Sequence, residues 1–253
     1  MERITSADGA PIAVERSGSG PPLVCIHGTS ATRSTWDEFA AELAGMECVR
    51  YDRRGRGDSG DADEYSLARE VEDARAVVER VGDPESVAAF GHSFGAIVAF
   101  HLARETPLHR LVLYEPPVLA GDHGDREPGF ADRLRQVLDE EGPEAAVRTF
   151  RGMPADAPLE PEARDGDALA RTVVREVAVA ESFDRPATVE VATPTRCLVG
   201  GDTGAMLRES TLAVQEAIPN ADLVTVEGHG HDALATDPAT AAALLDDFLP
   251  TSA

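Results

Sequence analysis

Gly91-His92-Ser93-Phe94-Gly95 lies between an apolar run, Val87 to Phe90, and a small apolar stretch through Ile97, Val98, Phe100 and Leu102. The run has the length of a buried strand and the stretch has helical spacing, so the five residues form a sharp strand-to-helix turn. A serine on such a turn holds a strained backbone conformation. Glycines two residues before and after leave it room, and the helix N-terminus behind it favours developing negative charge. Ser93 is thereby projected as a nucleophile. The pattern Gly-x-Ser-x-Gly also occurs in ordinary loops, so the weight rests on the strand before it and the helix after it.

Working outward, the chain alternates strand and helix. Asp8-Gly9 is a turn dipeptide between two extended stretches, Ile4 to Val14, which predicts a hairpin at an antiparallel edge. Leu23 to Ile26 reads as a buried strand ending at His27-Gly28, and Cys48 to Tyr51 as another. Ser34 is placed as the cap of a helix carrying Trp36, Phe39 and Leu43. Ser66 opens a longer helix with Val71, Ala74, Val77, Val78 and Val81 inward, closed by Gly82. Leu111 to Tyr114, Cys197 to Val199 and Leu223 to Val226 supply further strands. A helix from about Met206 to Ala217 and a last one ending near Leu249 complete the pattern. Such alternation implies a mostly parallel sheet covered by helices on both faces. Between Glu115 and Val191 proline, glycine and acidic residues abound and the patterns are helical, around Ala131 to Leu138, Ala145 to Phe150 and Leu169 to Ala180. Short helices without a core of their own predict an insertion over residues 117–190, with the core in 1–116 and 191–253.

A serine hydroxyl needs a base, and Gly228-His229-Gly230-His231 supplies two histidines in another strand-end loop. His231, opening the final helix, is the expected base and His229 the fallback. A metal-binding His-x-His lacks a third ligand of evident spacing, and Asp232 reads as a helix-capping carboxylate. Backbone N–H groups must hold the oxyanion. Phe94 offers one, and the loop His27-Gly28-Thr29 the second through Thr29, with the Thr29 or Ser30 hydroxyl as a possible aid.

The order of His27-Gly28, Asp52 to Gly60, Gly91 to Gly95 and Gly228 to His231 resembles the α/β-hydrolase family, in its serine esterase, haloperoxidase-like and lactonase-like branch. The resemblance covers essentially the whole chain. It implies a mostly parallel central sheet flanked by helices, with a small helical cap inserted after the strand that follows the nucleophile helix. It also implies that the arginines of Asp52 to Ser59 are largely structural and that the cap shapes the substrate pocket. The family's acid usually stands three residues after the glycine closing the penultimate core strand. Counting from Gly200 that position is Thr203, and Asp202 stands one residue early. Other members place the acid at the end of the strand after the nucleophile helix, where this chain has Glu115. Both carboxylates stay open as the triad acid, with Glu115 preferred, since a carboxylate at an apolar strand end is costly unless partnered.

The expected activity is hydrolysis of an ester, thioester or lactone of a small molecule through an acyl-enzyme. Serine rather than aspartate as nucleophile disfavours alkyl-enzyme chemistry. Cofactor-free perhydrolysis with haloperoxidase-like activity uses the same serine, and a non-catalytic ligand-binding module of the same fold is the reading from another class. No metal, nucleotide or flavin is called for; no Gly-x-Gly-x-x-Gly follows the first strand.

Composition narrows the partners. In 253 residues, 23 basic side chains, all arginine, face 46 acidic ones, a net charge of −23. Binding to nucleic acid or to an anionic membrane is therefore not expected. A net charge of magnitude about 2 to 8 suffices for solubility, so the excess of carboxylates without lysine suggests a salt-rich cytoplasm, where the Debye length shrinks to about 3 Å near 1 M salt. Cys25, Cys48 and Cys197, each among strand-like apolar residues, read as small buried hydrophobes in a reducing, cytoplasmic setting.

Overall fold

Successive side chains of a strand point to opposite faces, and along the central strands that alternation divides the apolar residues between two layers. Val24, Ile26, Ala89, Leu111 and Leu113 enter one cluster, whereas Leu23, Cys25, Phe90, Val112 and Tyr114 enter the other. A computed structural model describes the chain except residues 63, 119–128, 155–156, 158, 160–165, 183–190 and 250–253. Its strands are β1 (Glu2–Thr5), β2 (Pro11–Gly18), β3 (Pro22–Ile26), β4 (Glu47–Tyr51), β5 (Ala88–His92), β6 (Arg110–Tyr114), β7 (Thr195–Gly200) and β8 (Ala221–Val226). They form one sheet in the order β1-β2-β4-β3-β5-β6-β7-β8. The β1–β2 and β2–β4 pairs are antiparallel, so the hairpin around Asp8-Gly9 forms the edge, and the remaining pairs are parallel.

Helices α2 (Leu67–Val81), α3 (Phe94–Glu105) and α7 (Ala205–Ala217) supply the first cluster. On the other face lie α1 (Asp37–Glu42), α8 (Ala233–Thr236) and α9 (Pro238–Ala243), with Trp36, Phe39 and Phe90 packed edge to face at 5.0–5.5 Å between ring centroids. The Ser66 hydroxyl accepts from the Arg69 N–H at 3.3 Å and caps α2 as expected. Ser34, in contrast, lies inside a 3-10 turn over Arg33–Trp36, and α1 starts only at Asp37. Asp232 occupies the position before α8, but its side chain makes no capping bond. The three cysteines are buried and free. No helix among the described residues is long and apolar enough to cross a membrane.

Within the inserted segment, α4 (Phe130–Glu141), α5 (Pro143–Phe150) and α6 (Gly166–Glu181) differ from expectation in one respect. They share an apolar cluster of their own, built on Leu134, Val147, Leu169, Val173 and Val177. Residues at i, i+4 and i+8 along α6 face α4 and α5, so short helices close a core by packing three ways.

Candidate active site

The parallel strands β3, β5, β6 and β7 end on the same side of the sheet, and each ends in a residue of the site. In open α/β sheets that carboxyl edge is where ligands bind. Ser93 follows β5 with φ 55° and ψ −124°, an unusual conformation for a residue with a side chain. Its N–H is held by the Tyr114 carbonyl at 2.8 Å. The two glycines of the motif are required by space: a Cβ on Gly91 would come within 2.3 Å of the Gly95 carbonyl oxygen, and one on Gly95 within 2.1 Å of that of Ile26. The loop after β3 also passes close, since a Cβ on Gly28 would meet the Ser93 Cβ at 2.9 Å.

Glu115 follows β6, fully buried and at φ 47°. One oxygen, Oε1, accepts the Gly200 N–H at 2.8 Å; the other, Oε2, lies 2.5 Å from His231 Nδ1. A carboxylate can only accept, so Nδ1 carries a proton in this contact. Asp202 is not brought to His231. Its backbone N–H donates to the His229 carbonyl at 2.9 Å, and its side chain is exposed at the outer edge of the loop after β7. His229 is likewise diverted, 3.3 Å from the Asp237 carboxylate. Ser93 and His231 border one cavity of about 600 Å³, together with Gly28 and Thr29 and with Phe150 and Leu169 from the inserted helices.

Phe94 is the first residue of α3, where an N–H has no helical carbonyl to meet. Among the described residues the Thr29 N–H has no backbone acceptor either. Thr29 borders the cavity with Ser93, and Phe94 follows Ser93 directly in the chain. The hydroxyls differ: that of Thr29 is hydrogen-bonded to Glu176, whereas that of Ser30 accepts from Arg151 Nε at 3.1 Å and keeps its own hydrogen to donate.

Against the loop after β3 lies a charge cluster that the sequence reading passed over. Arg53, fully buried, reaches the carbonyls of His27 and Gly28 through Nη1 at 3.2 and 3.3 Å, and its guanidinium stands 4.6 Å from the Phe94 ring centroid. Nη2 pairs with Glu70 at 2.8 Å and with Glu176 at 2.9 Å, and Arg56 joins Glu176 at 2.7 Å. Two cations and two anions thus balance out of water, the arrangement in which losing one partner is most damaging. Burial alone would raise the Glu176 carboxyl, but Arg53 and Arg56 outweigh it and hold it below its ordinary value. Glu176 stands on α6, so this pairing ties the inserted helices to the loop after β3. One signal was available: Leu169, Val173, Glu176 and Ala180 occupy a single helical stripe, and a glutamate there must find a cation.

The histidines around the site are kept neutral. His27 donates from Nδ1 to the Gly28 carbonyl at 2.9 Å and accepts the Arg53 N–H on Nε2 at 3.0 Å, leaving no place for a second proton. Burial, with the Arg53 charge adding, holds it well below its ordinary value. His92 donates from Nε2 to the His231 carbonyl at 2.9 Å, and burial followed by the proximity of His231 pushes it down to about 3. Unfolded, both titrate near pH 6.5, so their contribution to stability is complete above that pH and is lost as pH falls toward the folded values. The expected loss is about 1.4 kcal/mol per pH unit for each histidine below pH 6. Chemical denaturation at pH 7.0, 6.0 and 5.0, above the range of ordinary carboxylates, reads it; a midpoint unchanged across that window refutes the account.

A mostly parallel sheet that carries at its carboxyl edge a strained serine and, on the same cavity, a histidine paired with a buried carboxylate defines the class. The chain belongs to the Alpha/beta hydrolase family, which it matches over residues 23–244. The structure of an alpha/beta hydrolase from Sphaerobacter thermophilus DSM 20745 superimposes with a TM-score of 0.84 at 34% identity, covering 98% of this chain and 99% of that one. RutD of Pseudomonas syringae pv. syringae (strain B728a), whose name marks it as a candidate carbamate hydrolase, is 28% identical over 91% of this chain and 94% of its own. An uncharacterized protein of Mycobacterium tuberculosis is 38% identical over 130 residues, which are 48% of this chain and 45% of that protein, so the chain spans about half the length of that relative.

Proposed function

We propose that the protein is a serine hydrolase that cleaves an ester, thioester or lactone of a small molecule through a Ser93–His231–Glu115 triad. The observation that carries this reading is the 2.5 Å contact between Glu115 Oε2 and His231 Nδ1, with His231 bordering the same cavity as Ser93. His231 Nε2 takes the Ser93 proton as Oγ attacks the carbonyl carbon. Charge then develops on the carbonyl oxygen, where the N–H groups of Phe94 and Thr29 receive it. His231 returns the proton to the leaving group, and the acyl group remains on Ser93. Water, deprotonated by the same imidazole, attacks that ester and releases the acid. Glu115 stays ionised throughout and holds the tautomer. The inserted helices act as a cap: Phe150, Met153 and Leu169 give the cavity an apolar wall against which an acyl chain can lie. We take the acidic, lysine-free surface as suited to a salt-rich cytoplasm and choose assay conditions accordingly.

Pre-steady-state release of 4-nitrophenol from a short-chain 4-nitrophenyl ester in multi-molar salt tests the proposal. A burst equal to the enzyme concentration, with a mass increase of one acyl group on the protein, is expected. Folded protein that shows neither burst nor acyl adduct with a series of esters refutes it and leaves a ligand-binding module.

A further inference from the structure

We propose that Arg151 forms an anion subsite in the cavity and that the substrate is an ester whose acyl chain carries a carboxylate. The proposal rests on the hydrolase reading and names the substrate class for the same site. Arg151 closes α5 and lines the cavity that Ser93 and His231 border. Its Nε donates to the Ser30 hydroxyl at 3.1 Å and one Nη2 proton to the Ser30 carbonyl at 2.8 Å. A guanidinium has five N–H donors, so both Nη1 protons and the second of Nη2 remain, and these form the end-on fork that matches a carboxylate. Among the described residues no carboxylate pairs with Arg151, in a chain with twice as many acidic as basic side chains. Most other arginines near the site are already committed: Arg53 and Arg56 to Glu176, and Arg33 to Asp52 and Asp58.

The lining decides where on the substrate the anion belongs. Asp232 also borders the cavity next to His231, where its charge repels a substrate anion. Arg151 instead holds Ser30, the residue after the oxyanion donor Thr29. Phe150, Met153 and Leu169 supply apolar wall for the methylenes between the scissile carbonyl and the distal anion. Ser30 itself is at φ 59°, and the two bonds from Arg151 fix both that turn and the orientation of the fork. A side chain held in this way loses little freedom on binding, which suits a specificity contact.

The test compares kcat/KM for mono-4-nitrophenyl adipate with 4-nitrophenyl hexanoate, and the suberate with the octanoate, at the lowest salt that keeps the protein folded. The ratio of anionic to neutral ester is expected to fall about tenfold in Arg151→Gln and to recover in part in Arg151→Lys. If Arg151 merely staples the Ser30 turn, both esters decline together, and an unchanged ratio overturns the subsite. Calorimetric titration with adipate reads the subsite without turnover: equal binding by wild type and Arg151→Gln also overturns it. Absence of turnover with adipate binding weakened about tenfold in the variant would instead sustain the subsite and count against hydrolysis.

Discussion

Ser93→Ala is expected to remove the burst and to lower turnover of an activated ester by between about 10³ and 10⁶-fold. The lower bound is set by what the variant keeps. The Phe94 and Thr29 N–H groups and the cavity walls remain, and they still orient a carbonyl for direct attack by water. The upper bound applies when His231 without its serine partner contributes nothing. Alanine has the Cβ of serine, so the backbone at φ 55° is no more strained than before and the fold is preserved. The close approach of Gly28 to the Ser93 Cβ also survives the change. Loss of activity can then be assigned to the missing hydroxyl, with thermal unfolding and cavity-ligand binding as checks. A folded variant that retains more than a few per cent of wild-type turnover and still accumulates an acyl adduct would place the nucleophile elsewhere.

The fold was legible because its signals are local. A four-residue apolar run, a glycine pair around a serine and a small apolar helix sit within sixteen residues at Val87 to Leu102, and the structure follows them closely. Ser66 capped its helix because the apolar period begins right after it; Ser34 did not, because the chain there first takes a tighter turn and the helix begins three residues later. Of the candidate site, Ser93, His231 and Thr29 stand out in sequence, and they border one cavity. Its acid was not settled, because Glu115 and Asp202 both follow strand ends and differ only in the direction their side chains take. That direction follows from the φ of 47° at Glu115 and from the Gly200 N–H that receives it, neither of which leaves a pattern in sequence. The Arg53–Glu176 pair spans 123 positions, so only the odd glutamate on an apolar helical stripe could have announced it. The cluster shared by α4, α5 and α6 arises from three helices packing together and is invisible to any one of them.

Glu115→Gln tests the least local of these contacts, and its effect should be of the same order as loss of the base's function, about 10⁴-fold in kcat. Glutamine is nearly isosteric, and its carbonyl oxygen can still accept the Gly200 N–H that Oε1 now receives at 2.8 Å. The other terminal atom becomes an N–H₂ group facing His231 Nδ1, where Oε2 now stands at 2.5 Å. Two donors cannot share that contact, so the imidazole moves its proton to Nε2 and presents a donor where a base is needed. The imidazolium that forms during acylation also loses the counter-charge that a fully buried carboxylate supplied. Both effects act on the transition state, so kcat falls while KM changes little. Asp202→Asn is the control. Its side chain is exposed, and the contact it makes with the histidine loop is through its backbone N–H to the His229 carbonyl at 2.9 Å, which the substitution leaves in place. Turnover within about twofold of wild type is expected there, as for an exposed polar change. Steady-state rates at saturating ester and in the same salt for the two variants decide the matter: a large loss in Asp202→Asn with a small one in Glu115→Gln would transfer the acid's role to Asp202 and require the loop after β7 to rearrange on substrate binding.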